Sequence, residues 1–176
     1  MKRERMKYLA LVLTLTLIVG CESTQSNARV TSIPTEEWSL RQTTIPDQDS
    51  LVSGSTYLSS YSQVYVRSKS YLFSLTGTIS IRNTSLQDTV YVERAAYYGT
   101  GGKELRNYFE KPIFLAPMET IEIIISEEDV EGGTGDNFVF DWYKSPGVSD
   151  PFFEGVFISV HGQQGISFTT QGIRVK

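Results

Sequence analysis

The chain has 176 residues, 40% of them hydrophobic, with 16 Lys+Arg against 20 Asp+Glu and a single Cys and a single His. That length holds one domain and a tail. The acidic balance disfavours nucleic acid, and one Cys with one His excludes disulfide frameworks, zinc-type Cys clusters and His-rich metal sites.

In chain order, Lys2, Arg3, Arg5 and Lys7 make a basic start, and Tyr8–Val19 is a mostly apolar run. Its length of about a dozen residues is that of a signal h-region, whereas a bilayer span takes roughly 20. Ile18-Val19-Gly20-Cys21 resembles the lipobox of bacterial lipoproteins, in which a small residue before Cys admits the peptidase and the thiol carries the lipid. A buried helix ending at a free Cys is the competing reading; the basic start and the small-residue–Cys junction favour export. The sequence thus predicts a signal peptide over residues 1–20, lipidation at Cys21 and a lipid-anchored protein of the bacterial cell envelope.

Removing residues 1–20 takes four of the 16 basic residues and one of the 20 acidic ones, leaving a net charge of about −7. Membrane attachment then rests on acyl chains rather than on a basic patch. In two-membrane bacteria an Asp after the lipidated Cys favours inner-membrane retention. Glu22 stands there instead, which leans toward the outer membrane.

Residues 21–52 are rich in Ser, Thr, Gln and Asp, contain Pro34 and Pro46, and show no sustained apolar period. They read as a flexible tether, about 30 Å end to end as a coil and about 100 Å stretched. Trp38 and Leu40 interrupt it, either docking part of the tail on the domain or meeting a partner.

Residues 53–176 read as strands. Tyr57, Ser59, Tyr61, Gln63 and Tyr65 share one face of an extended segment, with Leu58, Val64 and Val66 on the other. Alternation recurs at Tyr71–Ile81, Val90–Tyr98, Ile121–Ile125, Phe138–Trp142, Val156–Val160 and from Ile166 onward. Glycine, proline and polar turns separate these runs. Ser126-Glu127-Glu128-Asp129 has capping-box spacing and is the one helical hint. Seven to eight short strands argue for an all-β, two-sheet antiparallel β-sandwich, with a barrel as the alternative. If strands run alternately up and down, Gly99–Lys103, Glu127–Asp136 and Gly162–Gly165 gather at one end. Asn83–Asp88, Leu115–Met118 and Lys144–Pro151 then gather at the other.

Several phrases resemble an uncharacterised family of bacterial exported proteins classed as a domain of unknown function. They are Ile79–Thr84, Tyr97-Tyr98 with Gly102-Lys103, Glu110–Pro112 through Leu115–Pro117 and, most specific, Gly132–Phe138 and Gly162–Phe168. They cover roughly Tyr57–Val175, which implies one domain and brings no activity with it. Leu115–Thr120 also resembles the Leu-x-Pro-Gly-x-Thr turn of many immunoglobulin-like domains, with Met118 in the glycine position. That likeness implies an immunoglobulin-like sandwich.

The candidate sites are few. Calcium wants several oxygen ligands on a bendable backbone, which makes Glu128, Asp129, Glu131 and Asp136 calcium candidates. Gly132–Asp136 faintly resembles one copy of the calcium-binding β-roll repeat, but a solvated acidic turn is the preferred reading. Gln163 and Gln164 offer amides in a short turn between glycines; with Asp136, Asn137 and His161 they form the candidate binding set. Tyr57, Tyr61 and Tyr65 form an aromatic strip if exposed and plain core if buried. His161 near Ser159, Ser167 and acidic residues is the best general base available, without any Gly-x-Ser-x-Gly spacing. A binding or accessory module for an envelope protein or glycan is therefore the leading expectation. An envelope hydrolase using His161 with a carboxylate, or a calcium-stabilised structural domain, is the alternative.

Overall fold

The computed structural model describes residues 38–161 and 163–176; residues 1–20, expected to be a signal peptide, and Cys21 lie outside them. A four-residue helix, α1 (Trp38–Arg41), precedes the strands. These are β1 (Val52–Ser59), β2 (Gln63–Tyr65), β3 (Leu72–Ser74), β4 (Thr76–Arg82), β5 (Val90–Tyr98) and β6 (Glu104–Asn107). There follow β7 (Ile113–Leu115), β8 (Thr120–Ile125), β9 (Asn137–Lys144), β10 (Phe152–His161), β11 (Gln164–Gln171) and β12 (Ile173–Arg174).

One sheet runs β12-β1-β9-β5-β6, with β7 also on β5; the second runs β11-β10-β4-β8; β2 and β3 form a separate hairpin. All the pairings are antiparallel, and the architecture is the expected all-β sandwich. Among the described residues, seven strands of six to ten residues carry it. The excess over the expected strand number comes from pieces of two to four residues, too short to show a period of two in sequence.

Alternation explains the core. In β9, Phe138, Phe140 and Trp142 point inward and are fully buried, while Val139, Asp141 and Tyr143 face out. Ile121, Ile123 and Ile125 of β8 and Ile79 and Ile81 of β4 do the same in the second sheet. Each such side chain contributes roughly 1.5–3 kcal/mol by leaving water. Phe140 bridges the layers, stacking on Phe153 of β10 at 4.4 Å between ring centroids. Trp142 fills its place because Gly54 lies opposite, where a Cβ would collide with the indole. The buried indole N–H donates to Thr56 Oγ1 at 2.9 Å.

The predicted sorting of loops into two ends follows from this topology. Thr100 N–H donates to Gly132 O at 2.9 Å, joining the loop after β5 to the loop before β9. Ile158 lies opposite Thr76 at that same end, so the β10–β11 hairpin turns there too. At the far end Asn83 reaches from its loop to Leu115 O at 3.1 Å and Ala116 O at 3.0 Å.

Two expectations need correction. The tether does not run free to residue 52. Trp38 packs edge-on against Phe109 with ring centroids 4.8 Å apart, Thr43 N–H donates to Pro112 O at 2.9 Å, and Ile45 is buried. Arg41 adds a 2.7 Å ion pair with Glu119. Apolar Trp38 and Ile45 outweigh the polar composition around them. The single face proposed for Tyr57, Tyr61 and Tyr65 is also broken, because β1 ends at Ser59 and β2 starts at Gln63. Tyr61 turns inward against Phe157 and Phe168, while Tyr65 is 55% exposed. Ser126–Asp129 makes one turn, Asp129 N–H donating to Ser126 O at 2.9 Å, without a helix. No helix among the described residues is long and apolar enough to cross a membrane.

Candidate functional site

The glycine-rich end is built on a buried polar hub. Ser60, in the break between β1 and β2, donates its hydroxyl to Asp136 Oδ1. Ser62 N–H donates to Asp136 Oδ2 at 2.7 Å, and the Ser62 and Tyr97 hydroxyls share a hydrogen bond of 2.8 Å. Gly132 closes over them; a Cβ there would collide with the Tyr97 hydroxyl and the Asp136 carboxylate. Burial pushes the Asp136 carboxyl above its ordinary range, and the donors from Ser60 and Ser62 offset only part of that. Burial likewise raises the Tyr97 phenol, which stays neutral. Such a fully bonded network fixes the rim's shape.

Arg106 of β6 lies across the outside of this hub. Its guanidinium sits 5.4 Å from the centre of the Tyr97 ring and bonds Asp129 at 2.8 Å and Glu131 at 2.8 Å. The four acidic calcium candidates are therefore not brought together. Asp129 and Glu131 face a cation, Asp136 points into the protein, and Glu128 stands exposed in its turn. Among the described residues no group of three or more His, Cys, Asp or Glu is placed to hold a metal ion. Asp136 is likewise corrected as a surface binding residue: a buried carboxylate that accepts from Ser60 and Ser62 is an internal brace. Asn137 opens β9, half-buried between Ser59 and Tyr98.

Two hairpins leave the sandwich at this end. In β10–β11, His161 lies opposite Gln164, and Gln163 and Gln164 are both exposed. Beyond Ile158, β10 has no partner in β4, so the tip projects, and Val160 is 72% exposed. Beside it, β2–β3 exposes Tyr65, Val66, Tyr71 and Leu72, with Arg67 lying 5.9 Å over the Tyr71 ring. Tyr61, just before β2, packs on the β10–β11 hairpin, its ring centre 5.9 Å from that of Phe157 and 5.5 Å from that of Phe168. Gln163, Gln164 and His161 thus sit on the projecting tip, apart from Asp136.

A second feature escaped the sequence reading. The outer face of β1, β9 and β5 holds a shallow depression of about 190 Å³ lined by Ser53, Ser55, Glu93, Asp141, Tyr143 and Lys176 among others. Small-molecule sites usually measure roughly 300–1,000 Å³. A register shift between Val92 and Arg94 turns Arg94 outward opposite Asp141, where its Nε donates to the carboxylate at 2.7 Å. Ser55 donates to the other Asp141 oxygen at 2.5 Å, so this carboxylate is held from both sides. The outward phase of Asp141 between Phe140 and Trp142 was the available signal; the bulge that supplies Arg94 was not visible. This depression and His161 lie in different sheets.

The family described as "Protein of unknown function (DUF3124)" matches residues 53–175, the whole sandwich. The chain belongs to the DUF3124 family. Both stretches that carry the resemblance, Gly132–Phe138 and Gly162–Phe168, lie within the matched residues; Gly132 and Asp136 build the hub, and Gln163 and Gln164 sit on the projecting tip. No curated protein matches. The crystal structure of Thermotoga maritima 1070 is similar at 12% identity and a TM-score of 0.45, over 68% of this chain and 92% of that one.

Proposed function

We propose that this DUF3124 protein is a lipid-anchored accessory module of the bacterial cell envelope that holds a protein partner at its glycine-rich rim. The observation that carries this reading is the pair of hairpins at one end. Tyr65, Val66, Tyr71 and Leu72 on one, with Val160 on the outer face and Ile166 on the inner face of the other, leave apolar side chains exposed at the end that carries the rigid hub. Clustered exposed apolar residues mark interaction surfaces. Aliphatic Val66, Leu72 and Val160 suit a protein better than a sugar ring, which stacks on aromatics alone. The anchor rests on the basic start, the apolar run and the Gly20-Cys21 junction.

The test is crosslinking in cells with a photo-reactive residue at Gln163 and, as control, at Gln87 on the opposite end. One reproducible protein captured at Gln163 and absent at Gln87 is expected. Capture of nothing, or of the same background at both positions, overturns the rim as the working surface. Cys21→Ala is expected to move the protein from the membrane fraction to the soluble one; continued membrane association removes the lipid anchor from the proposal.

A further inference from the structure

The free edge of β11 is unlike the other edges of the sandwich. β11 ends the second sheet and pairs with β10 alone. Its eight residues, Gln164–Gln171, contain no Asp, Glu, Lys, Arg or Pro. Soluble proteins guard such edges with charges, prolines or very short strands, because a row of unpaired N–H and C=O groups is a template for another strand. The remaining edges follow that rule. β8 carries Glu122, β6 has four residues including Glu104 and Arg106, and β12 has two including Arg174. β11 breaks the rule over a length of about 27 Å.

The core side of this edge is also unfinished. Phe168 is only half-buried although it stacks on Phe157 at 5.2 Å, and Ile166 is 39% exposed. On that face Tyr61 packs on Phe168 and Thr170 Oγ1 donates to Ser59 O of β1 at 2.7 Å, so what stays open is Ile166 and the outer side of Phe168. An added strand would supply both the missing backbone partners and the missing apolar contact.

We infer that β11 pairs antiparallel with β11 of a second copy of this chain, joining two four-stranded sheets into one across a twofold axis. The charge pattern selects the occupant. The chain carries a net charge of −4, so two copies meeting at a charged edge repel. β11 against β11 sets no charged side chain opposite another in any antiparallel register. Centred on Phe168, the pairing places Ser167 opposite the second copy's Thr169 and Ile166 opposite its Thr170, pairs that suit a pleated surface. A twofold edge-to-edge contact is closed, so it stops at two copies. This inference goes beyond the proposed binding role and stands without it: the pair would cover Ile166, while Val160 and the β2–β3 hairpin lie off the β11 edge.

The experiment is the mass in solution of the full chain, expressed with its own leader and extracted in mild detergent, beside the S167K/T169K double variant. Both positions are exposed, so each Lys reaches water in a single copy and meets its counterparts in the pair. The wild type is expected at two copies per particle and the variant at one, with at least a tenfold weaker self-association and an unchanged melting temperature. A wild type that stays single up to the highest concentration reached overturns the inference. A variant that still forms pairs moves the interface elsewhere and overturns it equally. If the variant melts early, Gln171→Lys at the exposed end of β11 repeats the comparison with less disturbance to the hairpin.

Discussion

The Tyr97 hydroxyl lies 2.8 Å from the Ser62 hydroxyl, and that single bond ties a central strand of the first sheet to the break between β1 and β2. Both residues are buried, so the bond has no water to replace it. Tyr97→Phe keeps the ring under Arg106 and deletes only the hydroxyl. A loss of about 1–3 kcal/mol is expected in chemical denaturation, the cost of a buried group left without its partner. Faster amide exchange at Ser62 and Gln63 should accompany it, and no change at Thr78 or Ile79.

Asp136 gives the fold a pH dependence of defined sign. Burial holds its carboxyl above the ordinary range despite its hydrogen bonds, so the folded state keeps the proton more tightly than the unfolded chain. An unperturbed Asp titrates near about 3.9. The stabilising contribution is therefore full below that range and is lost as pH rises through the folded value. Asp150 runs the other way. Burial opposes its ionisation, but Lys144 at 2.8 Å and Arg174 at 3.1 Å hold it below the ordinary range. Its contribution is present above that range and lost as pH falls. Urea melts of the wild type and Asp136→Asn across mildly acidic to neutral pH separate the two. The wild type should lose ground to the variant as pH rises; a constant difference would falsify the charge-burial account.

Met118 occupies the left-handed region, with φ of 60°, and follows Pro117 in a turn closed by Glu119 N–H donating to Ala116 O at 3.1 Å. Pro followed by a residue of positive φ is the arrangement that favours glycine at the second place. Met118 is 62% exposed and gives up little packing when shortened. Relief of roughly 1–2 kcal/mol of backbone strain, less roughly 0.5–1 kcal/mol for the freer unfolded chain, leaves Met118→Gly stabilising by about 0.5 kcal/mol. A raised melting temperature checks it, and Met118→Val should lower it.

Trp38 holds the tail on the sandwich through Phe109. Trp38→Ala should lower stability by about 1–2 kcal/mol, less than for a fully buried Trp because the ring is half-buried. Limited proteolysis reads the local part. Cleavage between Ser39 and Ser50 should accelerate several-fold while the fragment from Val52 onward survives. Equal cleavage in both proteins would place the tail's attachment elsewhere, on Arg41 with Glu119 or on Ile45.

The sequence by itself determined the two-layer β architecture, because Phe138, Phe140 and Trp142 or Ile121, Ile123 and Ile125 leave a period of two with one sensible inner face. It also determined the sorting of the loops, which follows from antiparallel connection. Only the tertiary structure decided what the polar residues do. Asp136 reads as a surface acid in a glycine-rich loop, and it became an internal brace because Ser60 and Ser62, far earlier in the chain, arrive beside it. Asp129 and Glu131 read as a solvated acidic turn with calcium as the lesser reading, and in the fold Arg106 of β6 pairs with both. Trp38 read as an interruption in a tether until Phe109 met it. Apolar periodicity is a local property written within each strand. The partner of a charge or a lone aromatic is set by which distant strands the sheet brings side by side.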